Sequence, residues 1–471
     1  MFRVCVLWVV VCCVAVGGSV CAATAGQVVL SESFDQADGK LPAGWRAVKG
    51  TWRVEQGALM TDSLRGESYV VVGDAAWENY EVEVTATFLK VTNPSRWLSI
   101  VFRAAADGQP PFSHFPIRQE STARNGTEFA VKVTWKDWSV RSTGKAKRDC
   151  ELGKPVRLRL VVRNTRVECF VDGAKVVESP FCIERSAGRV GLGASGCVAR
   201  FDDLVVRRLP KSAVAKVKEV EHPERSLCVA HRGFSRVYPE NTTLAMLKAD
   251  EAGAEGVECD VYNSKDGVTV LLHDRKVDRT TNGTGKVDEL TLAELSKLDA
   301  GSWKGKQFAG ERVPTLVGML KALRPTGTKA MIEVKPNGIA KQVVAAIREA
   351  DMVEQVVAIS FSAKACADVR RIEPRIPAAL VVGGKPGKTP AERAAILAGR
   401  AKACGATILD LQFQMITPEL VADLKARGFE VWCWTVNDEM IIDTMARWGV
   451  SAITTDRPDL MMAWRRKVAA K

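Results

Sequence analysis

"GVECDVYNSKDGVTVLLHD", residues 256–274, decides the fold of the second half of this chain. Two apolar runs flank Ser-Lys-Asp-Gly. Asp266-Gly267 is a tight-turn dipeptide, so the run at 268–272 folds back antiparallel on the run before it. It therefore cannot be a stave of a parallel sheet. Around it, short apolar runs alternate with amphipathic stretches: "CVAHRG" (228–233), "GVECDV" (256–261), "AMIEVK" (330–335), "VVAISFS" (356–362), "AALVVG" (378–383), "ATILDLQF" (406–413), "EVWCWTVN" (430–437) and "AITTD" (452–456). With the folded-back run set aside, eight parallel strands remain in 227–471, close to the typical ~250 residues of a (β/α)₈ barrel. An open doubly wound sheet would need a Gly-rich phosphate loop after its first strand, and "VAHRGFSRVYPENTT" (229–243) does not supply one.

The first half has a different period. "YEVEVTATFLKV" (80–91) alternates strictly, and "VRLRLVVRNTRVECFVDGAKVVES" (156–179) reads as strands joined by tight turns. Residues 27–208 are expected to form an antiparallel two-sheet sandwich. Between the halves, "LPKSAVAKVKEVEHPERS" (209–226) lacks a sustained apolar face and reads as a linker. At the other end, Arg3, the apolar run 4–16 and small residues near 20–25 make 1–25 a cleavable export signal. The apolar run is too short to span a bilayer. A periplasmic or extracellular mature protein is expected, with no transmembrane segment.

At 471 residues, 46% apolar and 26% charged, the composition is that of a multidomain globular protein. The net charge of +12 suits an anionic substrate, a membrane surface or nucleic acid. No basic arm interleaved with aromatics supports the last of these. Of thirteen cysteines, Cys150, Cys169, Cys182 and Cys197 sit where export permits one or two disulfides. Cys228, Cys259, Cys366, Cys404 and Cys433 read as isolated core thiols, because no CxxC pair suggests zinc or redox chemistry.

A barrel places its active site at the C-terminal ends of its strands. Strand 1 ends at His231-Arg232, strand 2 at Glu258-Cys259-Asp260, strand 3 at Glu333-Val334-Lys335, and the folded-back arm at His273-Asp274. Alternation puts Glu258 and Asp260 on one face, and likewise Glu333 and Lys335. Three carboxylates converging on a barrel mouth need a cation, and oxygen-only ligands favour Mg²⁺ or Ca²⁺. A buried ion-pair network with Arg232 and Lys335 is the bland alternative. The chain holds only four histidines, His114, His222, His231 and His273. Two of them stand at barrel strand ends, which suggests an acid–base pair beside cations suited to phosphoryl oxygens.

"HRG…PENT", "ECDV…SKDGVTVLLHD…DRTTNGTG", "LTLAELSKLDAGSW…GERVPTL", "IEVK", "WTVN" and "TTDRP" resemble, in order, the glycerophosphodiester phosphodiesterase family across 227–465. The resemblance implies that His231 and His273 are the acid–base pair and that Glu258, Asp260 and Glu333 hold the metal. It implies that Arg232 and Lys335 contact phosphate, that Glu240 and Asn241 shape the site, and that Trp434 lines the glycerol or leaving-group side. The substrate implied is a small phosphodiester, cleaved to sn-glycerol 3-phosphate and an alcohol. Lysophospholipids or glycan-linked glycerophosphates are alternative substrates for the same mechanism. The first half resembles concanavalin-like jelly rolls in "SFDQADGKLPAGWRAVKGTWRVEQGAL" and "GRVGLGASGCVARFDDLVV". That likeness brings in a sugar-stacking role for Trp45, Trp52, Trp77, Trp97, Trp135 and Trp138, and a rival reading of the whole chain as a carbohydrate-binding protein. Against it, most of these tryptophans can equally be sandwich core.

Overall fold

The computed structural model describes residues 26–35, 38–210 and 219–470. The expected export signal at 1–25 and residues 211–218 of the expected linker lie outside them. The described residues form two compact units, one running to Glu178 and including 185–210, the other taking Ser179–Glu184 with 219–470.

The first unit is a sandwich of two antiparallel sheets, as the alternating pattern predicts. One sheet has Tyr80–Val91 and Cys197–Arg208 side by side at its centre; the other has Trp97–Ala104 between Phe112–Arg118 and Arg189–Ser195. Along Tyr80–Val84 every second residue is buried, because side chains alternate across the pleat. Trp45, Trp52, Trp77 and Trp97 are buried, which leaves only Trp135 and Trp138 partly exposed for a planar ligand. Cys150 and Cys197 are buried thiols, and burial raises both to about 11 and about 12 respectively. Disulfides through these two are therefore not formed. The five cysteines of the second unit are buried thiols, as expected, but two are not isolated: Cys366 and Cys404 hydrogen-bond to each other.

The second unit is the eight-stranded parallel barrel. Its strands are Leu227–Ala230, Gly256–Asn263, Lys329–Val334, Val356–Ser360, Ala378–Val382, Ile408–Gln412, Glu430–Trp434 and Ala452–Thr455. Closure is made by the first strand, which pairs in parallel with both the second and the last. The arm Thr269–Leu271 lies antiparallel on the second strand, with Val261 opposite Leu271 and Asn263 opposite Thr269. Gly267 takes φ +82° in the turn, a conformation that a Cβ disfavours. Val229, Met331, Ile359, Val381, Ile408 and Trp432 fill the bore. Apolar filling closes the barrel centre, so polar chemistry is pushed to the strand ends.

Residues 275–313, inserted after the arm, pack Val277, Val287, Leu295, Ala300 and Val313 into a small core shared with Val270 and Leu272. The Gly-rich "NGTG" lies in this insertion as a turn, with Asn282 and Asp299 exchanging hydrogen bonds (Asn282 N to Asp299 O, 3.1 Å; Asp299 N to Asn282 Oδ1, 2.8 Å). No helix among the described residues is long and apolar enough to cross a membrane.

Candidate active site

The second and third barrel strands run in register, with Asp260 opposite Glu333. This register, with alternation, brings Glu258, Asp260 and Glu333 together: one oxygen from each lies within 4.8 Å of the others. Two unit charges at ~4 Å interact with about 4 kcal/mol at a protein-like effective dielectric of ~20, so three buried carboxylates demand compensation. Lys335 supplies part of it, with Nζ 2.7 Å from Asp260 and 2.8 Å from Glu333. Arg232 supplies more, its Nε 3.3 Å from Asp260 and its backbone N–H donating to Glu258 at 3.0 Å.

Two cations against three acids leave a deficit, and the acids titrate accordingly. Burial, then Asp260 and Glu333, push Glu258 well above the usual carboxylate range. Glu333 is raised by burial and Asp260, partly offset by Lys335 and His231. Burial pushes on Asp260 too, but Lys335, Arg232 and His273 outweigh it and bring the group down to about 2. An all-oxygen set with excess negative charge fits a hard divalent cation. The ion-pair alternative is therefore half right: Arg232 and Lys335 are paired to the acids, without neutralising them.

The first strand delivers His231, whose backbone N–H donates to Thr455 O at 2.9 Å across the closure. Its Nδ1 lies 2.6 Å from Asp456 Oδ1. Asp456 is itself held by Ser235 Oγ (3.1 Å) and Asn437 Nδ2 (2.6 Å). Burial would raise Asp456, but His231 and these donors bring it to about 2. The arm delivers His273, with Nδ1 2.7 Å from Asp274 Oδ1. Burial lowers His273, and nearby Asp260 opposes that shift. Both imidazoles thus have Nδ1 committed to a carboxylate, which fixes the ring and leaves Nε2 for proton transfer.

Glu240 and Asn241 enter through the loop after the first strand. Asn241, at φ +57°, donates from Nδ2 to Asp260 Oδ2 at 2.8 Å and accepts from Asp260 N at 3.1 Å. Glu240 accepts from Arg232 (2.8 Å) and from Arg279 (2.7 and 3.0 Å). Arg279 also donates to Asp274 at 2.5 Å, so it ties the loop to the histidine arm. Trp434 is half-buried at the end of the seventh strand, donating to Asp410 O at 3.2 Å and meeting Phe361 edge-on at 5.4 Å. All ten residues expected at the site therefore lie at the strand ends or their first loops.

Sequence reasoning left Asp274, Asp456, Arg279 and Asn437 without roles. Asp456 ends the last strand and Asp274 follows His273, so the same strand-end rule would have collected both. Asp410, on the sixth strand, was also passed over. It is buried with Oδ1 unpartnered, and burial, then Glu333, push it up to about 8.

Residues 231–460 match the glycerophosphoryl diester phosphodiesterase family. A glycerophosphodiester phosphodiesterase of Caldanaerobacter subterraneus is 37% identical over 248 residues, which is 52% of this chain and 99% of the relative. One from Bacillus subtilis is 32% identical, over 53% of this chain and 90% of the relative. Among solved structures, a phosphodiesterase of Oleispira antarctica in complex with the product sn-glycerol-3-phosphate is 30% identical, with a TM-score of 0.46, covering 50% of this chain and 96% of that one. With nearly the whole length of such relatives aligned to its barrel half, the chain belongs to the glycerophosphodiester phosphodiesterase family.

Proposed function

We propose that the protein is exported and hydrolyses glycerophosphodiesters to sn-glycerol 3-phosphate and an alcohol, using His231 and His273 as acid and base. The observation that carries this reading is the pair of imidazoles, each with Nδ1 on a carboxylate, beside three converging acids. Glu258, Asp260 and Glu333 would hold Mg²⁺ or Ca²⁺, which polarises a phosphoryl oxygen when bound. Lys335 and Arg232 stabilise negative charge gathering on the phosphoryl oxygens. One imidazole takes a proton from the attacking water as its oxygen bonds phosphorus. The other gives a proton to the ester oxygen as the P–O bond to the alcohol breaks. Trp434, with Phe361, forms an aromatic wall on one side of the mouth.

The test is release of glycerol 3-phosphate from glycerophosphocholine or glycerophosphoethanolamine. EDTA should abolish it and added Mg²⁺ or Ca²⁺ restore it; His231→Ala and His273→Ala should each lower kcat by roughly 10²–10⁴-fold. Metal-independent turnover, or undiminished activity in both variants, would sink the mechanism. Acylated and polymeric substrates belong in the same kcat/KM panel, as the rival substrates for the same chemistry. We read the sandwich as a concanavalin-like jelly roll from its Gly-rich turns, with any glycan site confined to the surface around Trp135 and Trp138. Export is tested by fractionation and by the N-terminal sequence of the mature chain, expected to begin near residue 23 or 26.

A further inference from the structure

A cleft of about 580 Å³ opens beside the acid triad, walled by Tyr262, Asn263, Arg275, Asp288, Lys335 and Asn337. Its volume is that of a small-molecule site. Lys335 is the shared wall: its ammonium faces Asp260 and Glu333 while the residue borders the cleft. Arg275 borders it too, two residues beyond His273. A phosphodiester seated against Lys335 therefore has this cleft open to one of its two ester arms.

The hydrogen bonds around the cleft show what that arm must be. Asn337 Oδ1 accepts from Ser362 Oγ at 2.6 Å, which leaves its Nδ2 as a donor. Asn263 Oδ1 accepts from Thr269 Oγ1 at 2.9 Å, again leaving Nδ2. Asp288, the one carboxylate among the described lining residues, has both oxygens bonded to Arg275. The lining thus has donors to spare and no uncommitted carboxylate.

Resting on the hydrolase reading above, we propose that this cleft is the subsite for the departing alcohol and selects a polyhydroxylated one, such as a cyclitol or sugar, over a cationic amino alcohol. Hydroxyl oxygens accept from Asn263 and Asn337. A quaternary ammonium offers no acceptor, finds no free carboxylate, meets the Lys335 cation at the same wall, and has Tyr262 as its one aromatic face among the lining residues.

The experiment compares kcat/KM of the metal-supplemented, full-length protein for glycerophosphoinositol and glycerophosphocholine. The inositol ester should be favoured by about tenfold, the equivalent of one net hydrogen bond. Free myo-inositol should inhibit competitively and choline should not. Asn337→Asp and Asn263→Asp keep the oxygen that accepts from Ser362 or Thr269 and replace the spare donor by an anionic acceptor. Each should cut the preference about tenfold and raise turnover of the choline ester, with urea midpoints reporting that the variants are folded. A wild-type ratio at or below one, or a ratio that neither variant moves, overturns the subsite. Failure of the wild type to cleave either ester overturns the hydrolase reading itself, a result distinct from a flat ratio.

Discussion

His231 and His273 are each bonded through Nδ1 to an acid, and the two acids are held differently. Asp456 is fixed by Ser235 and Asn437, whereas Asp274 is fixed by Arg279. Removing the charge while keeping the shape should disturb ring orientation and imidazolium stability without touching the phosphate. Asp456→Asn and Asp274→Asn are expected to lower kcat by roughly 10–10³-fold with little change in KM, below the ~10⁴-fold seen when a triad aspartate is neutralised. A fall confined to KM would assign both acids to substrate binding instead. A second residue-scale prediction lies in the sandwich. His114 is fully buried, neither ring nitrogen has a partner, and burial, then Lys132, lower it from 6.5 to about 3. Between those values the unfolded chain binds the extra proton, so this contribution is intact above pH 6.5 and is lost as pH falls toward 3. The loss is at most ~1.4 kcal/mol per pH unit. Urea midpoints of wild type and His114→Phe should diverge below pH 6.5, with the variant less acid-sensitive; parallel curves would refute this.

The arm Thr269–Leu271 is the element on which the site depends most, because it carries one of two imidazoles and has a single strand neighbour in register. Gly267 at φ +82° makes its turn, and nothing lies within 4 Å of where a Cβ would stand. A substitution there tests backbone strain alone. Gly267→Val should cost about 1–2 kcal/mol, read as a lower urea midpoint, and should reduce kcat as His273 loses its position. The turn was legible because Asp-Gly between two apolar runs has one good solution. Loop partners were not: nothing local in "PENT" says that Asn241 will grip both the side chain and the backbone of Asp260, nineteen residues on. That contact exists because closure of the barrel sets the first strand beside the second.

At the scale of the whole molecule, one half of the chain aligns with nearly the full length of relatives that hydrolyse glycerophosphodiesters by name. The barrel should therefore be self-sufficient for small substrates. A 219–471 fragment is expected to keep kcat/KM on glycerophosphocholine within about threefold of the full chain, as for a domain with its own core. A loss far beyond that would show that residues before 219, among them Ser179–Glu184 of the barrel unit, support the site. If the sandwich serves substrate capture, its removal should tell only on polymeric or glycan-linked esters.

Two things were determined by the sequence alone: the barrel's strand count and the placing of Glu258, Asp260, Glu333, His231 and His273 at its mouth. Both follow from local rules, since apolar period and turn chemistry set the strands and alternation sets which side chains share a face. Tertiary structure decided how those groups are poised. Asp456 meets His231 across 225 residues, Arg279 joins Glu240 to Asp274, and Lys335 stands between two carboxylates. In the sandwich, packing of the two sheets buries Trp45, Trp52, Trp77 and Trp97 and leaves Trp135 and Trp138 partly exposed. Burial and charge pairing are properties of neighbours in space, and a linear pattern names the residues without naming their neighbours.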